Sequence, residues 1–141
     1  MNTIVEHQFI QSFVRRERRE RAQFELLSSR KRAAFLNRLC HNYKDILDMR
    51  LAHSVPASDS NSAGILKALR QKGAPDNGYV ISLDDSIDGQ ELPLAAALGQ
   101  VVGMGLPGIV ICNPAHFCYF EAEQEAGSAP RFFLIRVEQT S

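Results

Sequence analysis

Cys112, His116 and Cys118 are the most compact group of potentially reactive side chains in this 141-residue sequence. A cysteine next to a histidine can act as a nucleophile that the imidazole deprotonates. Thiolate and imidazole groups are also zinc ligands, although zinc sites usually space them as C-x₂₋₄-C or H-x₃₋₅-H pairs. The cluster therefore raises two hypotheses, a small enzyme with a Cys112/His116 site and a metal site.

The local sequence predicts a β-hairpin around this cluster, and the hairpin separates the two cysteines. With a two-residue loop at 114–115, Cys112 is opposite Phe117. Cys118 is then opposite Ile111, and side-chain alternation puts the cysteines on opposite faces of the sheet. Their apolar neighbours raise a thiol pKa instead of lowering it. We therefore predict no metal ligand and no catalytic residue here, and the enzyme is kept as a second alternative.

Two further segments resemble ligand-binding loops but lack the context that such loops need. Gly103–Gly108 matches G-x-G-x-x-G, yet a helix precedes it and a strand follows, the reverse of the order in a dinucleotide-binding loop. Asp84–Gly89 resembles the first half of a calcium loop, but Ala95 occupies the position of the bidentate carboxylate. The sequence also lacks a Gly-x-Ser-x-Gly elbow and a His-Glu-x-x-His motif. It thus predicts no cofactor and a protein that is not an enzyme.

A basic tract near the N-terminus is the strongest indication of a binding surface. Arginine forms forked hydrogen bonds with phosphate or carboxylate groups, and Arg15, Arg18 and Arg19 would lie on adjoining turns of a helix. Interspersed glutamates weaken a field that attracts phosphate, and no aromatic residue interrupts the tract to stack on bases. The candidate contacts with a partner protein or a nucleic acid are Arg15, Arg16, Arg18, Arg19, Arg30, Lys31 and Arg32.

The net charge of zero conceals two parts of opposite sign. Residues 1–52 contain eleven Lys and Arg against six Asp and Glu, whereas residues 53–141 contain five against ten. The chain is too apolar for wholesale disorder, lacks a global basic excess, and has only three cysteines, too few for a disulfide scaffold. Its first residues have neither the basic nor the apolar region of a signal peptide. We therefore expect a cytoplasmic protein.

The longest stretch without charged residues, Leu92–Phe120, is predicted to be core and not a membrane span. A helix that crosses a bilayer needs about 20 consecutive apolar residues. Pro93, Pro107 and the glycines at 103–108 divide the stretch into shorter pieces. We expect a buried helix followed by a strand, and no membrane association.

Helical periodicity predicts that residues 1–52 form a basic helical hairpin or a bent helix pair. Thr3 and Glu6 match a capping box, in which both side chains bind amides at the start of a helix. The serines at 28–29 are expected to end the first helix. An amphipathic second helix is expected from about residue 30 to residue 50.

Residues 53–62 are rich in serine and predict a linker or loop, and residues 63–141 predict an α+β region. The expected elements are a short helix at 63–71, a strand at 79–83, a helix at 93–103, and strands at 108–112, 117–122 and 131–138. The strands that flank the second of these helices would form a right-handed crossover. The predicted class is α+β: an N-terminal helical pair, a short third helix, and a mixed four-stranded sheet with one crossover helix (β-α-β-β-β). We expect one compact domain overall.

The absence of a coherent catalytic motif, the polarised charge and the small size favour a non-enzymatic protein-interaction module, such as an inhibitor, an immunity-type protein or an adaptor. Its partner is expected to be another protein, bound by the charged helical pair or by an uncovered sheet face. Because the strands carry aromatic residues toward both faces, a second layer or a homo-oligomer is expected to cover the far side. The alternative is an RNA- or DNA-binding protein that uses the Arg-rich helix.

Overall fold

The described residues form a six-stranded antiparallel sheet with helices on both of its faces. The structure, a computed structural model, describes residues 1–112, 117–122 and 130–136. The helices are α1 (Thr3–Phe13), α2 (Arg19–Leu27), α3 (Arg32–Ile46), α4 (Ser62–Gln71) and α5 (Leu94–Val101). The strands are β1 (Ala52–Ser54), β2 (Asn77–Ser82), β3 (Glu91–Pro93), β4 (Gly108–Cys112), β5 (Phe117–Glu121) and β6 (Arg131–Ile135). The predicted α+β class is confirmed.

The strand order is β1-β6-β5-β4-β2-β3, and every neighbouring pair is antiparallel. The prediction of a mixed four-stranded sheet is wrong, because β1 and β3 extend the sheet at its edges and no pair is parallel among the described strands. β3 runs back along β2 and places Pro93 opposite Asn77, so that α5 starts beside the beginning of β2. The chain then reaches the other end of β2, where Gly108 pairs with Ser82 and β4 runs antiparallel. Three residues are too few to show a strand pattern, yet β3 changes the topology.

The segment 53–62, predicted as a linker or loop, is tied to the sheet. It begins inside β1, which pairs with β6. Beyond the strand, the Val55 amide donates to the Arg131 carbonyl at 3.0 Å, and the Arg131 guanidinium donates to the Ser60 carbonyl at 2.5 Å. The exposed edge of β6 needs backbone partners, and a polar, Ser-rich segment can supply them as well as an apolar one.

The N-terminal part of the chain forms three helices instead of the predicted pair. α1 ends at Phe13, and Val14 is extended and pairs with Leu47 in an antiparallel bridge. On either side of the bridge, two backbone hydrogen bonds of 2.8 Å join the same two segments. The bridge interrupts both helices, so α3 ends at Ile46 and not at about residue 50.

The start of α1 also differs from the prediction, and the difference explains the position of Glu6. Asn2 caps the helix by accepting hydrogen bonds from the amides of Ile4 and Val5 at 3.1 and 3.2 Å. The capping box predicted for Thr3 and Glu6 is wrong, because Asn2 and not Thr3 is the cap residue, and the Glu6 amide donates to the Asn2 carbonyl at 3.2 Å. Glu6 instead lies on the buried side of α1, where 1% of the residue is exposed.

Both faces of the sheet are buried against helices of the same chain. On one face, α1, α2 and α3 cover alternate strand residues such as Ile109, Ile111 and Phe120. On the other face, α4 and α5 cover Val110 and Tyr119. This second helix layer is one of the two arrangements that the sequence predicts for the far side of the sheet.

The uncharged stretch Leu92–Phe120 supplies a helix and strands to the core, as predicted, but Met104 and Leu106, in the loop between α5 and β4, are 59% and 43% exposed. It supplies α5, β4 and most of β5, whose apolar residues such as Leu94 and Leu98 are buried. Residues 113–116 of this stretch lie outside the described residues. Within residues 1–112, 117–122 and 130–136, no helix has the length and apolar character to cross a membrane.

Candidate functional site

A surface pocket of about 230 Å³ lies where α2 and the start of α3 meet the turn between β2 and β3. The helices supply one wall, and the turn supplies Leu83 and Asp85 to the other. The apolar side chains that line the pocket are Met1, Leu26, Leu27, Ala33, Leu36 and Leu83. A mostly apolar concavity with a few polar groups is the usual form of a binding site.

Arg32 lines this pocket, and its buried guanidinium holds two carboxylates together. Its two terminal nitrogens donate to the Glu6 oxygens at 2.6 and 2.9 Å. Its Nε and Nη2 donate to Asp88 at 2.8 and 2.9 Å, and Nη1 also donates to the Leu26 carbonyl at 3.1 Å. Burial alone would lower the pKa of Arg32, but the hydrogen bonds to Asp88 and Glu6 raise it. These contacts join α1, α3 and the β2–β3 turn, and so position the two walls of the pocket.

Tyr79 and Ser82 complete the hydrogen bonding of the two carboxylates. The Tyr79 hydroxyl donates to Glu6 and accepts from the Asn2 amide at 3.0 Å. The Ser82 amide donates to Asp88 at 3.0 Å. Burial and the hydrogen bond to Glu6 raise the pKa of Tyr79 above its ordinary value of 10. Glu6 and Tyr79 are thus buried and hydrogen-bonded to each other.

The structure places Arg32 in the interior, whereas the sequence groups it with the surface contacts. Only 7% of its side chain is exposed. Glu6 and Asp88 are 26 and 56 residues away along the chain, so no motif of short spacing links the three. One signal does exist in α1, where Glu6 lies beside Val5 and Phe9 on the buried side of the helix. A charged residue on a buried stripe predicts a buried partner of opposite charge.

Four large apolar side chains are exposed at residue 1 and on α1 and α2, and two of them line the pocket. The exposed fractions are 71% for Met1, 69% for Ile4, 62% for Phe24 and 47% for Leu27, and Met1 and Leu27 line the pocket itself. A 2.6 Å hydrogen bond joins the side chains of His7 on α1 and Gln23 on α2. Ile4 lies one helical turn from His7, and Leu27 lies one turn from Gln23, so Ile4 and Leu27 are at the same end of the helix pair. Phe24 lies one turn before Leu27 on α2. We call these four residues the α1–α2 apolar patch.

Two of the predicted contact residues, Arg30 and Lys31, lie at the edge of the α1–α2 apolar patch. Both are exposed, and Arg30 directly follows Ser29, which lines the pocket. The Lys31 ammonium lies 4.8 Å from the centre of the Phe24 ring, a cation–π contact. The patch therefore has a basic edge on the α3 side, while Asp85 is exposed on the side of the β2–β3 turn.

The other predicted surface contacts are Arg15, Arg16, Arg18 and Arg19. They lie at the far end of the nine-residue helix α2, about 13 Å from its C-terminal end. The chain makes a 3-10 turn at 16–18 and α2 begins only at Arg19, so Arg15, Arg18 and Arg19 do not lie on adjoining turns of one α-helix as predicted. Arg19 donates to the Val14 carbonyl at 3.0 Å, which ties its side chain to the backbone. The seven predicted contacts thus form two surface groups at the two ends of α2 and one interior residue.

The surface next to Arg15 and Arg16 carries both signs of charge. Glu17, Asp48 and Arg50 line the same depression. The Arg50 side chain donates to the two Asp48 oxygens at 2.9 and 2.8 Å. These hydrogen bonds lower the pKa of Asp48, so its carboxylate is ionised at neutral pH. The two carboxylates offset much of the positive charge that attraction of a phosphate backbone needs.

A second buried network lies on the opposite face of the sheet. The Tyr119 hydroxyl and the Gly103 amide donate to Glu121 at 2.7 and 3.1 Å. Arg131 Nε lies 3.2 Å from the same carboxylate. Burial and the hydrogen bond to Glu121 raise the pKa of Tyr119. This network fixes the loop after α5 against β5 and β6, and we interpret it as structural.

The structure confirms the predicted register of the hairpin around the two cysteines. Cys112 is opposite Phe117, and Cys118 is opposite Ile111. Cys112 packs in the core under α4 and α5, whereas Cys118 packs in the core on the other face. Burial raises the pKa of Cys112 to about 12 and also raises the pKa of Cys118. His116 lies outside the described residues, among which no group of three His, Cys, Asp or Glu side chains could hold a metal ion.

We expect Cys112 and Cys118 to resist alkylation in the native protein at pH 8. Both are fully buried, and at a pKa of about 12 roughly one Cys112 thiol in ten thousand is ionised at that pH. Iodoacetamide labelling followed by mass spectrometry should give full modification only after a denaturant is added. Labelling of the native protein at the rate of an unstructured cysteine peptide would contradict this expectation and support the Cys112/His116 enzyme.

Glu25 is a buried carboxylate that connects α2 to α3. It accepts hydrogen bonds from Arg21, at 2.6 Å, and from Arg38. Burial acts to raise its pKa, but the two arginines lower it, and the net pKa is below the ordinary value of 4.5. The native state therefore holds this carboxylate in its ionised form more strongly than the unfolded state does.

Replacing Glu25 with glutamine is expected to lower the free energy of unfolding by about 1 kcal/mol at pH 7. The contribution of Glu25 is present above the unfolded-state pKa of 4.5 and is lost as the pH falls through the lower native pKa. Urea unfolding should therefore show a smaller difference in the free energy of unfolding between the variant and wild type at low pH than at pH 7. Glu20→Gln, at an exposed position of the same helix, is the matched control. A difference that stays equal at both pH values would show that the charge of Glu25 contributes nothing.

Comparisons with known proteins give no match to this chain among protein families, curated proteins or solved structures. The function is therefore inferred from the chemistry and shape of the site itself.

Proposed function

We propose that this protein is a small non-enzymatic protein-interaction module, in the manner of an inhibitor, an immunity-type protein or an adaptor. Its partner would cover the α1–α2 apolar patch and insert a side chain into the adjoining pocket. The observation that carries this proposal is the exposure of the four large apolar side chains of the α1–α2 apolar patch, two of which line an apolar pocket. Contiguous exposed apolar surface of this kind is typical of sites where proteins bind.

The size of the pocket favours a protein partner over a small-molecule ligand. Its volume of about 230 Å³ is below the roughly 300–1,000 Å³ of sites that enclose small molecules and cofactors. It can receive one large side chain, and anchors of this kind supply much of the binding energy at protein interfaces. The polar groups of Arg32 and Asp88 in the pocket wall are already hydrogen-bonded to each other.

The helical layer is a better candidate surface than the sheet. Helices cover both faces of the described sheet, so the uncovered sheet face that the sequence allowed as a contact is not among the described surfaces. We also propose a cytoplasmic location, because Cys112 and Cys118 are buried thiols on opposite faces of the sheet and are not joined by a disulfide. A reducing compartment maintains cysteines in this state.

Nucleic-acid binding is the second candidate, and the exposure of Arg15, Arg16 and Arg18 favours it. It predicts binding that weakens steeply with salt and falls further when Arg15, Arg18 and Arg19 are replaced with alanine. The carboxylates in the same depression favour the protein-binding function instead.

Affinity capture with two tryptophan variants tests the proposal and separates the two candidates. Ala33 and Ala34 are neighbouring exposed residues of α3, but only Ala33 lines the pocket. We expect Ala33→Trp to fill the pocket and to abolish capture of the partner protein from lysates of the source cells. Ala34→Trp should capture it as wild type does, in nuclease-treated and untreated lysates alike. Equal capture by both variants, or capture that nuclease abolishes, would contradict the proposal.

A further inference from the structure

We infer that the segment of the partner that binds the pocket carries a large apolar side chain next to an acidic residue. The inference rests on the proposed function and adds the chemistry of the partner. The apolar side chain would occupy the pocket, and the carboxylate would lie against Arg30 and Lys31 at the edge of the α1–α2 apolar patch.

The charges around the pocket set this preference. Between Ser29 and Arg32, which both line the pocket, Arg30 and Lys31 are exposed. Within the described part of the chain, neither residue has an ion-pair partner. The carboxylate of Glu25 forms ion pairs with Arg21 and Arg38 instead. An apolar segment that docks here therefore meets two uncompensated positive charges on one side.

The contact of Lys31 with Phe24 fixes the position of one of these positive charges relative to the apolar side chains. The ammonium lies 4.8 Å from the ring centre, so the positive charge is held over the α1–α2 apolar patch. A carboxylate next to the anchor could pair with it while the anchor covers the patch. On the opposite wall, Asp85 disfavours a second acidic residue on that side of the anchor. We therefore expect the segment to carry its acidic residue on the side of the anchor that faces α3, and no acidic residue on the side that faces the β2–β3 turn.

A titration of the full chain with three capped dipeptides tests the inference. The probes are N-acetyl-Leu-Glu-amide, N-acetyl-Leu-Lys-amide and N-acetyl-Ala-Glu-amide. Their binding is monitored through the backbone amide resonances of the ¹⁵N-labelled protein. We expect the first to perturb residues that line the pocket, such as Leu27, Ala33 and Leu83, and the third to leave them unchanged. The Leu-Glu probe should bind about two- to fivefold more tightly than the Leu-Lys probe, the range of one partly exposed ion pair.

Two charge-reversal variants provide the control. Lys31→Glu should remove or reverse the preference for the Leu-Glu probe, whereas Lys44→Glu, at an exposed position near the other end of α3, should keep it. Equal affinity for the two leucine probes, or a preference that survives Lys31→Glu, would overturn the inference. So would concentration-dependent perturbation of the same residues without any probe, which would show that a second copy of the chain fills the pocket.

The failure of this inference differs from the failure of the proposed function. If Ala33→Trp abolishes capture but the dipeptides show no charge preference, the pocket binds a protein whose anchor has no acidic neighbour. If capture is indifferent to Ala33→Trp, the proposed function itself is wrong, whatever the dipeptides do.

Discussion

Replacing Arg32 with methionine is expected to lower the free energy of unfolding by about 3–5 kcal/mol, the cost of breaking a buried ion pair by removing one partner. Methionine fills a similar volume, so the loss comes from the charges that remain. Glu6 and Asp88, with 1% and 7% of their side chains exposed, would both lose their cation in a nearly dry environment. Denaturant unfolding of the purified variant measures this loss.

Two further variants show whether the loss comes from the buried charges. Arg30→Met, at an exposed position two residues earlier, should change stability by no more than about 0.5 kcal/mol. Adding Glu6→Gln and Asp88→Asn to Arg32→Met should restore part of the stability, because neutral amides cost less to bury than carboxylates. A loss of under 1 kcal/mol in Arg32→Met would mean that the three side chains do not form the buried network described above.

Replacing Leu69 with alanine is expected to lower the free energy of unfolding by about 2–5 kcal/mol, as in other leucines removed from a packed core. Leu69 lies on α4 with 0% exposure, in the cluster that includes Leu98 on α5 and Val110 on β4. The truncation would leave a cavity between α4, α5 and the sheet. Urea unfolding monitored by circular dichroism gives the difference.

Leu66 on the same helix is the matched control, since it is only partly buried. Leu66→Ala should cost clearly less than Leu69→Ala. If the two variants lost the same small amount of stability, α4 would be a loosely attached helix and the far face of the sheet would need another cover, such as a second copy of the chain.

Local patterns predict much of this fold because they depend on neighbouring residues. The hairpin register, with Cys112 opposite Phe117, follows from turn length and alternation, and it matches the structure. The amphipathic spacing of α3 and the stop signals after α4 predict those helices within a few residues. In each case the information lies within about ten residues of the element itself.

The topology is not predicted because it depends on short segments whose partners are distant. β1 and β3 have three residues each, and what makes them strands is the edge of the neighbouring strand and not their own composition. The predicted topology takes the chain directly from the end of β2 into α5, which would make β4 parallel to β2. Because β3 runs back along β2, α5 begins beside the start of β2, and β4 pairs with β2 in the antiparallel direction.

The candidate site likewise combines features that neighbouring residues predict with features that depend on residues distant in sequence. The basic residues Arg30 and Lys31 are visible in the sequence as charges at a helix start, and in the structure both are exposed and Lys31 contacts Phe24. The pocket itself brings together Leu27 and Leu83, which are far apart in sequence. Arg32 shows the opposite case, since its neighbours in sequence suggest a surface residue and its partners in space bury it.

The affinity of the captured partner for the two tryptophan variants tests the central claim most directly. Isothermal titration calorimetry with purified partner would give the dissociation constants of wild type, Ala33→Trp and Ala34→Trp. If the pocket receives a side chain that contributes at least 2 kcal/mol, as interface anchors do, Ala33→Trp should weaken binding by about thirtyfold or more. Ala34→Trp should bind within about twofold of wild type, the scatter of a near-neutral surface change. Equal affinities for all three proteins would show that the partner does not use this pocket.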